Sequence, residues 1–155
     1  MIHEVFGQIQ YDYLWSKTFE IRIFGQKEVG VLNISGEEDE EIAQNQIDAF
    51  TEFELHKSRL IESTETALFD YYQSVIDEYR DRYGNAADEY APYINDVEDM
   101  KSLLKFEAIN LPYSFIDNQR VVGILFKAKW EVEHGVAVKI FNGKIVDVGF
   151  QEIVL

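Results

Sequence analysis

The chain has 155 residues, no cysteine, and 29 acidic against 14 basic side chains, for a net charge of −15. That length suits one domain with a core large enough to fold without staples, and the missing cysteines exclude disulfides and thiolate metal sites. A field of this sign opposes nucleic acid and anionic membranes; it favours a basic protein partner and speeds its association, though it equally serves solubility.

Hydrophobic residues make up 46% of the chain and aromatics 14%, a composition for a packed globule and not a disordered segment. No apolar run approaches the ~20 residues of a membrane span. The first ten residues carry Glu4 where a signal peptide needs a basic and then an apolar run. The expectation is a cytoplasmic protein with no membrane or nucleic-acid partner.

Taken in order, residues 2–6 alternate, and Ile9, Tyr11, Tyr13 and Trp15 continue with a period of two, a strand signal. Phe19, Ile21 and Ile23 alternate with Glu20 and Arg22, and residues 28–34 resume after Gly25. Connections this short predict an antiparallel meander over residues 1–34. Ser35 followed by Glu38 has the spacing of a capping box, which places a helix start in the acidic run 37–41, its charge at the positive end of the helix dipole. That run is either a docking patch or simply a well-capped start.

Residues 38–83 form the organising stretch. Leu60, Ile61, Thr64, Leu68, Tyr71, Tyr72, Val75, Ile76 and Tyr79 recur at three and four, one apolar stripe on a helix that must be buried. A single helix over this stretch would reach nearly 70 Å at ~1.5 Å per residue, so a break is expected between Phe53 and Lys57. Gly84 is placed to close the second helix. Residues 85–95 read as loop. Asn95 and Glu98 predict a further helix carrying Val97, Met100, Leu103, Leu104 and Phe106.

Residues 111–116 read as a short extended run, and residues 120–130 as the clearest strand, with Val122, Ile124, Phe126, Ala128 and Trp130 on one face. Asn142-Gly143 marks a hairpin. A two-residue turn would set Val138 opposite Asp147. A three-residue loop sets Val138 opposite Val146 and Val136 opposite Val148, gathering the valines on one face, and is the predicted form. The fold expected is α+β: a two-layer sandwich, residues 1–155 as one domain, with an antiparallel sheet from both chain ends and the middle helices on one face.

Chemistry has few places to reside. No Gly-rich phosphate loop follows a strand, no Gly-x-Ser-x-Gly elbow occurs, no helix pairs two histidines, and residues 37–41 lack the spacing of a calcium loop. No cofactor and no catalytic residue is assigned. His134, with Glu131 and Glu133, is the one cluster that could act as an acid–base or metal site. A regular strand would put Glu131 and Glu133 on one face and His134 with Trp130 on the other. A corner at His134-Gly135, with Glu133 as its hydrogen-bond partner, is the structural alternative. Tyr79, Tyr83 and Tyr90, amid carboxylates, suit a protein interface or the rim of the helix stripe.

Trp130, the acid Glu131, Glu133-His134-Gly135, the small apolar strand after them and Val148-Gly149 together resemble the end of a family of small acidic bacterial domains of unknown function. The acidic stretch after Ile34 and Asp70-Tyr71-Tyr72 are similar as well. The resemblance implies an α/β two-layer sandwich and no assigned activity. Related-looking small domains include immunity proteins that neutralise toxins. The reading is therefore a non-enzymatic binding domain for a basic protein such as a toxin, with Trp130, Glu131, Glu133, His134, Tyr79, Tyr83 and Tyr90 as binding candidates. The alternative is an enzyme or metal site at His134, Glu133 and Glu131. A third possibility is self-association through the apolar end, Ile153-Val154-Leu155.

Overall fold

Alternation in the first part of the chain becomes strands. The computed structural model describes residues 1–155. Ile2–His3 (β1) pairs with Gly7–Gln8 (β2) as a separate small ladder. Gln10–Tyr11 (β3), Trp15–Ile23 (β4) and Gln26–Ile34 (β5) form the antiparallel meander. Along β4, Phe19, Ile21 and Ile23 are buried while Thr18, Glu20 and Arg22 face water, which commits one side of the sheet to the core.

The acidic run does not start the helix. Residues 37–43 are turn and coil, and the first helix, α1, is Gln44–Leu55. Adjacent carboxylates repel one another, and Ser35 is already committed to the sheet, its N–H donating to the Leu111 carbonyl at 3.2 Å. Gln46 sets the start instead. Its side-chain carbonyl accepts from Ala43 N–H at 3.1 Å, while its amide donates to the carbonyls of Ser35 and Leu111 at 2.8 and 2.9 Å. One buried side chain thus caps a helix and ties it to two strand ends.

The break falls at His56, within the expected window, and Lys57–Tyr83 forms α2. Its buried residues are Leu60, Ile61, Thr64, Leu68, Tyr72, Ile76 and Tyr79, the stripe read from their spacing. Gly84 (φ 57°) ends it with an N–H on the Arg80 carbonyl. The segment expected as loop contains a 3-10 turn, Gly84–Ala86, and a short helix, Ala87–Tyr90 (α3). Ala87 and Ala91 bury there, and the Tyr72 hydroxyl donates to the Pro92 carbonyl at 2.6 Å. Burial, partly offset by Arg80, pushes the Tyr72 pKa up to about 12.

Residues 97–106 are not one helix. Val97–Ser102 is a 3-10 turn, begun by Asp96 N–H on the Asp99 carboxylate at 3.3 Å, one residue beyond the expected Asn95–Glu98 pair. Leu104–Leu111 is a strand, β6, and the extended run placed at 111–116 lies beyond its end. Pro112 has no N–H to carry the ladder further. β6 pairs parallel with β5, Val31–Ile34 against Ala108–Leu111, and antiparallel with Val121–Ala128 (β7). With Val136–Phe141 (β8) and Lys144–Gly149 (β9), the seven strands run β3-β4-β5-β6-β7-β8-β9. The sheet is therefore mixed, not antiparallel, and the architecture is α+β with one long helix.

The last hairpin takes neither expected register. Asn142 (φ 49°) and Gly143 (φ 83°) form the tight two-residue turn, pairing Phe141 with Lys144 and Ile140 with Ile145. The ladder then shifts, setting Lys139 against Asp147 and Val138 against Val148. Val146 is the extra residue and stands out to solvent. The apolar pairing is achieved by a bulge inside β9, not by a longer loop, because Asn-Gly meets the positive φ demanded by the primed turn.

The main core joins Phe50, Phe53, Leu60, Leu68, Tyr72 and Ile76 of the helices to Ile21, Leu32, Phe106, Ile124, Phe126 and Val138 of the sheet. On the opposite face Ala108, Leu125 and Ala137 are covered by Val154 from the 3-10 turn Gln151–Val154. The apolar chain end thus packs on its own sheet, leaving Leu155 exposed. No helix is long and apolar enough to cross a membrane.

Replacing Gln46 by Ala removes its bonds to the Ser35 and Leu111 carbonyls, of which Leu111 keeps the Ser35 N–H, and uncaps α1; a loss of about 1–3 kcal/mol is expected in urea unfolding. A Cβ on Gly30 would sit 2.4 Å from the Glu107 carbonyl oxygen, whereas one on Gly149 would meet Ile153 at 3.6 Å. Gly30→Ala should therefore destabilise by about 1–3 kcal/mol while Gly149→Ala leaves the midpoint nearly unchanged.

Candidate functional site

Strand β7 ends at Ala128, so the segment that carries Trp130, Glu131, Glu133 and His134 is a turn and not the strand continuation expected from alternation. Glu131 N–H donates to the Ala128 carbonyl at 3.2 Å, and Gly135 N–H to the Glu131 carbonyl at 3.0 Å. Gly135 has φ 61°, and a Cβ there would lie 2.5 Å from Gln151 Nε2 and 2.9 Å from the Phe126 carbonyl oxygen. Only glycine satisfies both the left-handed backbone and the close approach.

The turn folds Trp130 and Glu131 inward. Trp130 is buried against Tyr72, ring centroids 4.6 Å apart, and its indole N–H has no hydrogen-bond partner. The Glu131 residue is 8% exposed. Its Oε1 accepts from the Tyr79 hydroxyl at 2.7 Å. Its Oε2 accepts from His134 N–H at 3.2 Å and lies 3.2 Å from His134 Nδ1. The partner of His134 is therefore Glu131, not Glu133 as expected. Glu133 is exposed and takes part in no hydrogen bond or ion pair of the chain. Strand geometry would have separated Glu131 from His134; the turn closes the two onto each other.

Burial acts most strongly on the Glu131 carboxyl and pushes its pKa up, but the hydrogen bonds from Tyr79 and from the His134 backbone and ring together outweigh it, leaving the pKa below 4.5. The same bond works in reverse on Tyr79, whose hydroxyl is raised by burial and then by Glu131. Tyr83 is raised by burial and then by the Glu131 charge. These are the signs of a buried carboxylate kept ionised by donors.

Helix α2 brings its tyrosines to the same turn. The Tyr83 hydroxyl donates to the Trp130 carbonyl at 2.8 Å, and Tyr90 of α3 stacks on Tyr83 with centroids 5.0 Å apart. Tyr79 and Tyr83, one helical turn apart, thus clamp residues 130–134, with Tyr90 as an outer buttress. On the other side the His134 ring stacks on Phe150 at 4.4 Å, nearly parallel, and Gln151 N–H donates to the His134 carbonyl at 3.2 Å. Neither Phe150 nor Gln151 was singled out in the sequence; both lie far along the chain, in a stretch with no motif.

The carboxylate faces Nδ1, so Nε2 is the ring nitrogen left without a protein partner. His134 lines an open cleft of about 800 Å³. No group of three or more His, Asp or Glu side chains stands at a spacing that could hold a metal ion.

Residues 5–155 match the family described as a domain of unknown function, DUF6985, and the chain belongs to that family. No curated protein and no solved structure matches it.

A carboxyl with a lowered folded pKa stabilises the fold above the ordinary carboxylate range, and the contribution is lost as pH falls through the lowered value. Glu131→Gln should cost about 1–3 kcal/mol at neutral pH, and the deficit should shrink as pH falls below the ordinary carboxylate range. In a double-mutant cycle, Tyr79→Phe with Glu131→Gln should show a coupling of about 1 kcal/mol or more; chemical denaturation of the four proteins measures it.

Proposed function

We propose that the chain is a non-enzymatic protein-binding domain that acts in the cytoplasm and engages a basic protein, a bacterial toxin being the type of partner that fits. We read residues 1–155 as one two-layer sandwich domain, with Trp130 to Gly135 as its family signature. The observation that carries this reading is the surface of residues 77–99. Asp77, Glu78, Asp81, Asp88, Glu89, Asp96, Glu98 and Asp99 are exposed there. The two cations in that stretch are already paired, Arg80 with Asp88 at 2.8 Å and Arg82 with Glu78. Tyr93 lies over the Arg80 guanidinium, 4.2 Å from ring centroid to carbon, and remains 67% exposed. An ordered aromatic among unpaired carboxylates suits a partner that presents lysine and arginine.

A second reading has its own support. The Glu131–His134 contact gives a histidine with an oriented ring at a cleft, the arrangement of a general base. Turnover of simple ester or phosphoester substrates by the intact chain, lost in His134→Gln with the fold unchanged, would favour it. Absence of turnover in the wild type removes it.

The binding reading is tested by capture on the intact chain beside a triple variant, Asp88→Lys, Glu89→Lys and Tyr93→Ala. Retained proteins should be basic and should elute as salt rises above about 0.15 M. Association should slow about tenfold or more in the variant. Retention of neutral or acidic proteins alone, indifferent to salt, rejects the reading.

A further inference from the structure

Carboxylates outnumber cations about twofold, 29 against 14, so a place where lysines gather stands out against the average charge of the chain. The cleft beside His134 gathers four of them: Lys101, Lys105, Lys127 and Lys129. None has a carboxylate oxygen within 4.0 Å; five of the chain's fourteen cations do, Lys27, Lys57, Arg80, Arg82 and Arg120. Lys105 and Lys127 stand directly opposite each other on β6 and β7, a like-charge cross-strand pair that destabilises a sheet.

The nearby carboxylates are engaged elsewhere. Glu28 accepts from Phe106 N–H at 3.0 Å, and Glu107 accepts from Gln151 Nε2 at 3.3 Å. With Glu133, the cleft wall holds four lysines against three carboxylates, a formal +1 on a chain whose total is −15. The fold thus sets four exposed lysines, two of them opposed across a ladder, along one concave surface of about 800 Å³, a volume that suits a small ligand.

We propose that this cleft binds a phosphate group, free or carried as a monoester on a small molecule, with the Lys105–Lys127 pair as its principal cationic contact. Ammonium groups on flexible stems are point-charge phosphate binders, and a bridging dianion turns the cross-strand repulsion into attraction. Long polyanions are disfavoured by the charge of the surrounding surface. The site borders the acidic surface of residues 77–99 at the 3-10 turn Val97–Ser102 and does not rest on that surface having a protein partner.

The test is a titration of the intact chain with inorganic phosphate, and separately with glycerol phosphate, at constant ionic strength, followed by amide NMR shifts. Saturable shifts confined to the neighbourhood of Lys105, Lys127 and Gln151 are expected. Tighter binding of the monoester would identify a metabolite as the source, and equal binding the free ion. Lys127→Gln and, independently, Lys105→Gln should weaken binding about tenfold, and Lys144→Gln, on the far hairpin, should not. Without phosphate the two cleft variants should melt higher than wild type, and a given phosphate concentration should raise their melting temperature less. Non-saturating shifts spread over all lysines, or affinity equal in wild type and both cleft variants, would overturn the proposal.

Discussion

One short junction holds the two ends of the chain in a common sheet: the parallel pairing of Val31–Ile34 with Ala108–Leu111. Everything on one side of it comes from the first 34 residues and everything on the other from residue 104 onward. A parallel pair cannot be joined by a tight turn, so residues 35–103 must cross over, and both long helices lie in that crossover. The junction is reinforced by side chains from both sides of it. Asn33 donates to Asn110 at 3.0 Å, Glu28 holds Phe106 N–H, and Gln46 draws the start of α1 onto Ser35 and Leu111. Gly30 lets β6 approach where its bulge falls.

Once the crossover is laid on the sheet, α2 reaches the end of β7 with Tyr79 and Tyr83, and the turn at Trp130–Gly135 is shaped by what they offer. An ionised carboxylate tolerates burial only with donors around it. Tyr79, the His134 backbone and the His134 ring supply them. The histidine is thereby oriented as a by-product of satisfying Glu131, and its ring is held between that carboxylate and Phe150. The same turn forms one wall of the lysine cleft, and the 3-10 turn Val97–Ser102 carries both Glu98 and Asp99 of the acidic surface and Lys101 of the cleft. A carboxylate-rich face and a cation-rich cleft are thus built around one buried hydrogen-bond network.

Legibility in the sequence followed the range of the interactions. The α2 stripe could be read because Leu60, Ile61, Thr64, Leu68, Tyr72, Ile76 and Tyr79 obey helical spacing within one element. The strand at 121–128 and the alternation of Phe19, Ile21 and Ile23 could be read for the same reason with a period of two, but the run expected to be continuous from Ile9 to Trp15 breaks at residues 12–14 and β4 begins at Trp15. Strand β6 could not. Leu103, Leu104 and Phe106 fit a helix as well as a strand, and only the neighbours β5 and β7 decide between them. The Ser35–Glu38 pair mimicked a helix cap because a capping pattern does not reveal that the Ser35 N–H is already bonded to Leu111. The site residues were named from their types and clustering, but their pairing was misassigned: Glu133 is adjacent to His134 in sequence, and Glu131 is adjacent in space.

The amino-acid sequence alone determined the charge, the absence of thiol chemistry, the α+β content, the long helix with its buried face and the break ahead of it, because each depends on composition or on spacing within a few turns. The tertiary structure decided the parallel junction, the bulge that sets the last hairpin, the Tyr79–Glu131–His134 contact and the gathering of Lys101, Lys105, Lys127 and Lys129. All of these join residues whose proximity depends on chain closure over long loops or on a single-residue shift in a ladder. Such contacts leave no periodic trace in the sequence, since their free energy is realised only after distant segments have met.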